Sequence, residues 1–437
     1  MAGAPGPLTR FLARLFGVDP SEVPAVAAGM LMFLLLFAGY FMLRPVRETM
    51  GIAGGVRNLQ WLFTGTFIAT LVAIPLFGAI ASRVRRRRIL PWTYGFFASN
   101  LLGFAVGMHL APDNVWLARA FYIWLSVFNL LAISVAWSVL ADLFAARQAK
   151  RSFAVMAAGA SAGGLLGPLM GLVLVGPLGH GGLMALSTVL LLGSAGAALW
   201  LQGWRDRHPL DPGEAVARRA PLGGNPFEGI GTVLRSPYLL GIATFVVLLA
   251  TVTTFLYFEQ ARLVELHFPD PEDQTRVFSL LDTIVQSLAI FTQLFLTGRI
   301  VKHLGLAVLL TTVPVVMIGG FLWLAVAPTF WVLAVVMVTR RAGEYALARP
   351  GREMLFTVVP ASAKYKAKNV IDTAVYRGAD AVSGWVKAGI DALASTPAVV
   401  GVVGAGVAVG WAFTGYRLAR AQERREAGDA HHVSPAN

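Results

Sequence analysis

The sequence of 437 residues contains no cysteine, and charged residues make up only 14% of it. A chain without cysteine forms no disulfide, offers no thiol nucleophile and binds no metal through sulfur. The seven histidines are scattered and form no His-Glu-x-x-His pattern, and the Gly-x-x-x-x-Gly-Lys loop that binds ATP phosphates is missing. We therefore expect no catalytic residue, no metal site and no cofactor, and the sequence does not indicate an enzyme.

Hydrophobic residues, in contrast, make up 56% of the chain, and its mean hydropathy is +0.66. Apolar runs of about 20 residues recur along the sequence, and each is long enough to cross a hydrocarbon layer of about 30 Å. The pattern predicts an all-α polytopic membrane protein, with the lipid bilayer as its surroundings. The twelve predicted transmembrane helices are 24–43, 60–80, 90–110, 115–141, 154–175, 183–203, 238–258, 277–298, 305–326, 329–347, 369–390 and 397–416.

The longest polar stretch separates the sixth predicted helix from the seventh and contains several proline and glycine residues. It divides the chain into two halves of six helices, the organisation that internal repeats give to many transporters. We predict an amphipathic cytoplasmic segment at 1–22, six-helix bundles at 23–203 and 238–418, a cytoplasmic linker at 204–237 and a cytoplasmic polar tail at 419–437.

The chain has 36 lysine and arginine residues against 23 acidic ones, and the basic residues lie mostly in alternate connections. Basic residues concentrate in the cytoplasmic connections of membrane proteins. Their placement therefore predicts cytoplasmic termini and argues against a nucleic acid as partner. Short loops and the lack of an organelle presequence favour a bacterial inner membrane, and a monomer is expected.

The connection after the first span breaks this rule, because Arg44 and Arg47 lie at its predicted outer end. One interpretation is that both side chains reach the interface and contact lipid phosphate. The other is that they bind a phosphate or carboxylate, for which the planar guanidinium is suited. Pro45 is predicted to break the helix between them and to redirect both side chains.

The eleventh span carries four polar residues close to helical spacing, Asp372, Tyr376, Arg377 and Asp380. Charges at membrane depth are costly and usually face a bundle interior or a wet cavity. This spacing favours a role in substrate binding or gating, with an internal pair of Arg377 and Asp380 as the alternative. Glu344, at the end of the tenth span, is a candidate for a gate salt bridge, with a simple interfacial charge as the alternative.

The fifth span contains glycines at every fourth position, at Gly159, Gly163, Gly167 and Gly171. Small residues at this spacing are typical of close helix packing in membranes. With Pro168, the pattern also resembles the glycine-proline motif of facilitator-type antiporters, which favours exchange.

Two short strings resemble the loop motif of the major facilitator superfamily. They follow the second and eighth spans and read Gly78-Ala-Ile-Ala-Ser-Arg-Val-Arg and Gly298-Arg-Ile-Val-Lys-His-Leu-Gly. Further strings resemble the bacterial and plastid ATP/ADP translocases, a nucleotide-transporter branch related to that superfamily. These strings are Leu43-Arg-Pro-Val-Arg-Glu, Trp137 with Ala149-Lys-Arg-Ser-Phe, Leu263-Val-Glu-Leu, and Arg352-Glu-Met-Leu-Phe followed by Lys364-Tyr-Lys-Ala-Lys-Asn-Val-Ile-Asp.

The resemblance implies a facilitator-like fold and the exchange of nucleotides. It puts Arg47 in place of the family's substrate-contacting lysine and Glu265 at a functional glutamate. It also implies that an important basic residue falls among Arg352, Lys366 and Lys368. The chain departs from the family at the fourth span, where a glutamate is expected near Leu125 and none is present.

The residues and the resemblance together predict an alternating-access transporter of a small anionic solute, in first place a nucleotide in ATP/ADP-type exchange. The predicted substrate contacts are Arg44, Arg47, Glu265, Arg352, Lys366, Lys368 and Arg377, and the predicted coupling or gating residues are Asp372, Asp380, Tyr376 and Glu344. One alternative is a proton-coupled exporter of drugs or small metabolites, with Asp372 or Asp380 carrying the proton. Another is a membrane scaffold that transports nothing and pairs its charges internally.

Overall fold

The computed structural model describes residues 6–144, 146–209, 229–393 and 396–433, and these residues form helices joined by short turns, without a strand among them. A 3-10 turn at Val56–Asn58 and π-helical turns at Gln293–Thr297, Glu344–Ala348 and Ile371–Val375 interrupt the α-helices. The α-helices are α1 Pro7–Phe16, α2 Val23–Ala53, α3 Leu59–Arg83, α4 Arg86–Leu110, α5 Val115–Leu143, α6 Ala146–Arg207, α7 Ile230–Arg235, α8 Pro237–His267, α9 Pro271–Thr292, α10 Gly298–Val326, α11 Phe330–Gly343, α12 Arg349–Leu355, α13 Ala361–Val370, α14 Tyr376–Leu393 and α15 Pro397–Val433.

Nine helical stretches of the described residues are long and apolar enough to cross a membrane. One of them, Arg151–Arg207, has 57 residues, or about 85 Å of helix at 1.5 Å per residue, which is enough for two crossings. Its break lies at Gly179, where φ is 62°, between the predicted fifth and sixth spans. The predicted tenth and eleventh spans are also helical but are interrupted by π turns and carry charges. The predicted all-α fold is confirmed, and these features account for the difference between nine stretches and twelve spans.

The prediction that Pro45 breaks the first span is wrong, because α2 continues through it to Ala53. Proline removes one backbone hydrogen bond from a helix, and side chains such as threonine satisfy part of the backbone around it in a membrane. The carbonyl that Pro45 leaves without its usual donor is that of Phe41, four residues earlier, and the Thr49 hydroxyl adds a hydrogen bond to the carbonyl of Pro45 at 3.3 Å. Arg44 and Arg47 therefore remain on one continuous helix, three residues apart.

The chain forms two compact units, and each has its own hydrophobic core. Aromatic side chains fill both, for example Phe33 and Phe128 in the first and Phe255 and Trp411 in the second. The first unit comprises Met1–Met50, Val72–Gly223 and Pro271–Thr283, and the second comprises Gly51–Leu71, Gly224–Asp270 and Ile284–Asn437. Three helices, α2, α3 and α9, are thus divided, each giving one part to each unit.

The glycines of the fifth span press α6 against α2 within the first unit. A Cβ at Gly159, Gly163 or Gly167 would lie under 3.0 Å from a backbone carbonyl oxygen of α2. The three oxygens belong to residues four apart, like the glycines, namely Met30, Leu34 and Ala38. The predicted close helix packing is therefore present, and only glycine permits it here.

Large apolar side chains cover the outer surface of the helices. Trp92, Trp116, Leu294 and Trp331 are each more than two-thirds exposed. In water such a surface would cause aggregation, whereas a helix that satisfies its own backbone can present it to lipid. The protein is an integral membrane protein.

Candidate functional site

The two arginines of α2 lie in a polar region of the first unit, each beside a carboxylate. Nε of Arg44 is 3.8 Å from Oδ2 of Asp282 on α9, and Nη1 of Arg47 is 3.0 Å from Oε1 of Glu48. Arg47 also donates through Nε to the carbonyl of Tyr122 on α5 at 3.2 Å, and its guanidinium carbon lies 3.9 Å from the centre of the Tyr122 ring. Both arginines are thus positioned by side chains and backbone of their own unit.

A series of hydrogen-bonded side chains begins at Thr49, two residues after Arg47 on α2. The Thr49 and Thr275 hydroxyls are 2.7 Å apart, and Nε2 of His180 is 2.9 Å from the Thr275 hydroxyl. Both threonines are fully buried. Polar groups buried in a membrane protein need partners, and these side chains find them in one another. Their hydrogen bonds connect α2, α6 and the start of α9.

The geometry leaves the arginines able to exchange partners. The separation of 3.8 Å between Nε of Arg44 and Oδ2 of Asp282 exceeds hydrogen-bond length, so this contact is an ion pair without a hydrogen bond. The side chains of Arg44 and Arg47 are 22% and 16% exposed, against 6% for Asp282. A solute with a phosphate or carboxylate group can therefore compete with the protein's own carboxylates for two neighbouring guanidiniums.

In the second unit, several of the predicted coupling residues come together. Arg377 and Asp380 form an internal pair of 3.6 Å on α14, as the alternative interpretation expects. The Thr254 hydroxyl of α8 donates to the same carboxylate at 3.2 Å. Tyr376 interacts electrostatically with Asp380 and with Glu344, so three of the four predicted coupling residues, Tyr376, Asp380 and Glu344, belong to one cluster together with Arg377.

Arg340 of α11, four residues before Glu344 in the chain, also belongs to this cluster. Its Nη1 is 2.6 Å from Oε2 of Glu344 and donates to the Thr253 hydroxyl at 2.9 Å. Its side chain is only 5% exposed. The carboxylate of Glu344 therefore neutralises a buried cation, in agreement with the predicted salt bridge.

A further charged group surrounds Lys387 on α14, a residue that the sequence interpretation did not single out. This lysine is 2% exposed in its side chain, and its Nζ lies 3.0 Å from Oε1 of Glu259 and 2.6 Å from Oδ1 of Asp391. Arg262 binds the other oxygen of Glu259 at 2.7 Å. The sequence could have indicated this group through the spacing of Asp380, Lys387 and Asp391, which places the three residues on one face of a helix.

Of the basic residues predicted in the connection between the tenth and eleventh spans, two form ion pairs and one is exposed at the surface. Nη2 of Arg352 on α12 is 3.2 Å from Oδ1 of Asp372, and Lys368 on α13 pairs with Glu353. Lys366 is exposed on α13. Glu265, near the end of α8, is exposed as well. The structure therefore separates Asp372 from the cluster of Asp380 and groups it with Arg352.

One string formally matches the Gly-x-Ser-x-Gly pattern of serine hydrolases, from Gly159 to Gly163. That pattern activates a serine at a sharp turn between a strand and a helix. Here it lies inside α6, and its glycines serve to approach the α2 backbone. The string therefore has a packing role.

The model of the Major Facilitator Superfamily matches residues 26–348. The ADP,ATP carrier protein 1 of Chlamydia muridarum (strain MoPn / Nigg) is 21% identical over 439 residues, covering 85% of this chain and 82% of the carrier. The crystal structure of the nucleoside transporter NupG superposes with a TM-score of 0.62 at 13% identity, covering 91% of this chain and 98% of that structure. That of a bacterial homologue of the iron transporter ferroportin, in an inward-facing state, gives a TM-score of 0.61 at 14% identity, covering 90% of this chain and 98% of that structure. The structural likenesses extend over the whole fold, and at such identities they concern the fold alone.

Proposed function

The chain belongs to the Major Facilitator Superfamily and is a transporter of that type, and we propose that it exchanges nucleotides of the ATP/ADP kind across the membrane by alternating access. The pair of arginines on α2 is the observation that carries the proposal. A nucleotide polyphosphate has several adjacent anionic oxygens, and two guanidiniums one helical turn apart match that spacing of charge. The sequence similarity to ADP,ATP carriers, which extends over most of the chain, supports this substrate class.

In the proposed cycle, the phosphates take over Arg44 from Asp282 and Arg47 from Glu48. When no substrate is bound, those two carboxylates compensate the guanidiniums, so neither charge is left uncompensated in the membrane. The stacking of Arg47 on Tyr122 keeps the guanidinium plane in place. For exchange, the carrier must return only after a second nucleotide has displaced these carboxylates, and the requirement for internal nucleotide tests this step.

The test is transport by purified protein in liposomes. We expect labelled ATP or ADP to enter only when nucleotide is present inside, and Arg47→Ala to reduce uptake at least tenfold, the effect of about 1.4 kcal/mol. Arg57→Ala serves as the matched control, because Arg57 is an exposed arginine of the same region and its loss should leave uptake within about twofold of the parent.

Two results would contradict the proposal. The first is an absence of nucleotide uptake in vesicles that contain correctly folded protein, with or without internal nucleotide. The second is equal loss of uptake in the Arg47 and Arg57 variants, since that would make the effect a general one of surface charge.

One observation favours a second candidate, proton-coupled export of drugs or small metabolites. Asp380 is a buried carboxylate with a threonine and an arginine as partners, and protonatable carboxylates inside the membrane are typical of proton relays. This function requires transport that follows an imposed pH gradient and is abolished by Asp380→Asn, without preference for phosphorylated solutes.

A further inference from the structure

A basic groove opens on the surface of the second unit, between the first turns of α8 and residues 413–425 in the middle of α15. Its volume is about 960 Å³, and Tyr238 and Thr244 line one side of it, with Phe413 and Tyr416 on the other. The proposed transport cycle uses none of these residues.

Four arginines and a single glutamate line this basic groove, which gives it a formal charge of +3. The arginines are Arg417, Arg420, Arg424 and Arg425. All four are exposed, so their charge is available at the surface. Only Arg420 pairs with the glutamate of the groove, Glu423, at 3.4 Å.

Aromatic rings hold three of these cations in place. The guanidinium carbon of Arg425 lies 4.3 Å from the centre of the Tyr238 ring. Those of Arg417 and Arg420 each lie 5.6 Å from a ring, of Phe413 and Tyr416 respectively. Such contacts use the face of a guanidinium, so an anion can still bind at its N–H edge, although Arg420 also donates to the Tyr416 hydroxyl and to Glu423.

The position of the basic groove along α15 identifies its depth. From Pro397 to Tyr416 this helix has no charged residue, a stretch of 20 residues that spans about 30 Å, the thickness of the hydrocarbon layer. Arg417 is the first charged residue after it. The arginines therefore lie where hydrocarbon ends and phosphate headgroups begin.

The apolar part of the basic groove extends toward the hydrocarbon. Gly241 and Leu418 form part of its wall, and a Cβ at Gly241 would lie 2.9 Å from Leu418. The missing Cβ of Gly241 lets α8 and α15 approach each other and leaves the recess between them open. Thr244 and Phe413, one turn deeper, are exposed along the same recess.

We propose that this basic groove binds an anionic phospholipid, with the headgroup phosphate on the arginines and the acyl chains along Thr244 and Phe413. Basic pockets at the ends of transmembrane helices are suited to such headgroups. A soluble anion would use the arginines and leave the apolar recess unfilled, which is why we assign the site to a lipid. The site is independent of the transported solute.

The experiment titrates purified protein in detergent with phosphatidylglycerol or with phosphatidylcholine and counts bound lipids by native mass spectrometry. We expect phosphatidylglycerol to bind at least about tenfold more tightly, because each interfacial arginine adds attraction for an anionic lipid. The variant R417Q/R420Q/R424Q/R425Q should lose that preference. The control R57Q/R83Q/R85Q/R88Q removes four exposed arginines elsewhere and should retain it.

A second variant tests the recess without changing any charge. Thr244→Trp fills the basic groove and should reduce phosphatidylglycerol binding about as much as the four arginine changes. Val335→Trp, at an exposed position of α11, is its control. This arm remains decisive even if the quadruple variant folds poorly.

Four results would overturn the proposal, three of them from the lipid titrations. These three are equal affinity for the two lipids, equal loss in both arginine variants, and full phosphatidylglycerol binding by Thr244→Trp. Displacement of the lipid by millimolar inorganic phosphate or ATP would also overturn it, because the site would then bind a free anion.

Discussion

At the scale of single residues, Asp282 has two opposed effects on the arginines of α2. It pairs with Arg44, and in the proposed cycle it also competes with an incoming anion for the same guanidinium. The distance of 3.8 Å indicates that this competition is weak compared with a hydrogen-bonded pair.

Replacing Asp282 by asparagine keeps the shape of the side chain and removes its charge. We expect the KM for the transported anion to fall about fivefold, or about 1 kcal/mol, because Arg44 no longer has to leave a carboxylate. The measurement is the concentration dependence of uptake in liposomes. Asp273→Asn is the control, since Asp273 lies on the same helix but pairs with the exposed Arg276; an unchanged or raised KM for Asp282→Asn would contradict the expected competition.

Lys387 provides a residue-scale prediction about stability. Because its ammonium group is buried beside Glu259, Lys387→Met leaves that carboxylate with one partner, and we expect the free energy of unfolding to fall by about 3 kcal/mol. The double variant K387M/E259Q should recover most of the loss. Unfolding by SDS in mixed micelles measures both, with Lys366→Met, an exposed lysine, as the control. If the double variant were no more stable than the single one, the charge would not be the cause.

At the scale of secondary-structure elements, the contact between α2 and α6 depends on the absence of side chains. Gly163 and Gly196 lie on the same helix, but a Cβ at Gly163 would meet the α2 backbone whereas one at Gly196 would meet nothing within 4 Å. We expect Gly163→Ala to destabilise the protein by about 1–3 kcal/mol through overpacking. Gly196→Ala should be neutral or slightly stabilising, because alanine is the better helix former.

Thermal unfolding of the two glycine variants in detergent distinguishes these effects. Similar unfolding temperatures for both would show that α2 and α6 tolerate separation.

The sequence predicts the helices well and their interruptions poorly. Hydropathy and basic loops are properties of whole segments, so they locate the spans around α2 or α8 without knowledge of packing. A π turn inserts one residue into a helix and leaves no local sequence pattern. For that reason the turns at Glu344–Ala348 and Ile371–Val375 appear only in the structure, although they carry two of the predicted residues, Glu344 and Asp372.

Site partners were harder to predict than site cations. Arg44 and Arg47 stand out in the sequence because they break a charge rule, whereas Tyr122 and Thr275 are ordinary residues of a membrane helix. What makes them partners is proximity in space, at sequence separations of 75 for Arg47 and Tyr122 and 226 for Thr49 and Thr275. The roles of Glu265 and Lys366 rest on family resemblance alone and stay predictions.

At the scale of the whole molecule, the two compact units do not coincide with two continuous stretches of chain. The first unit includes Pro271–Thr283, which supplies Thr275 and Asp282 to the residues of α2. Neither half of the chain therefore contains all the groups that its unit requires.

We predict that fragments 1–215 and 216–437 fail to accumulate when each is expressed alone, and that both accumulate when expressed together. The first fragment alone leaves Arg44 without Asp282 and Thr49 without its hydroxyl partner, both of which are costly in a membrane. Immunoblots of membrane fractions, followed by nucleotide uptake for the co-expressed pair, provide the measurement. Stable accumulation of fragment 1–215 by itself would contradict the requirement.

The glycine contact of α6 with α2 also limits how these helices move. The carbonyl groups of α2 and the glycines of α6 share a period of four residues, so the same close contact repeats about every 6 Å along the two helices. If α6 slid along α2 by less than this repeat, a side chain would lie where only the hydrogen atom of a glycine fits. We therefore expect α2 and the first part of α6 to move as one rigid body during transport. The arginines near the end of α2 would move with it.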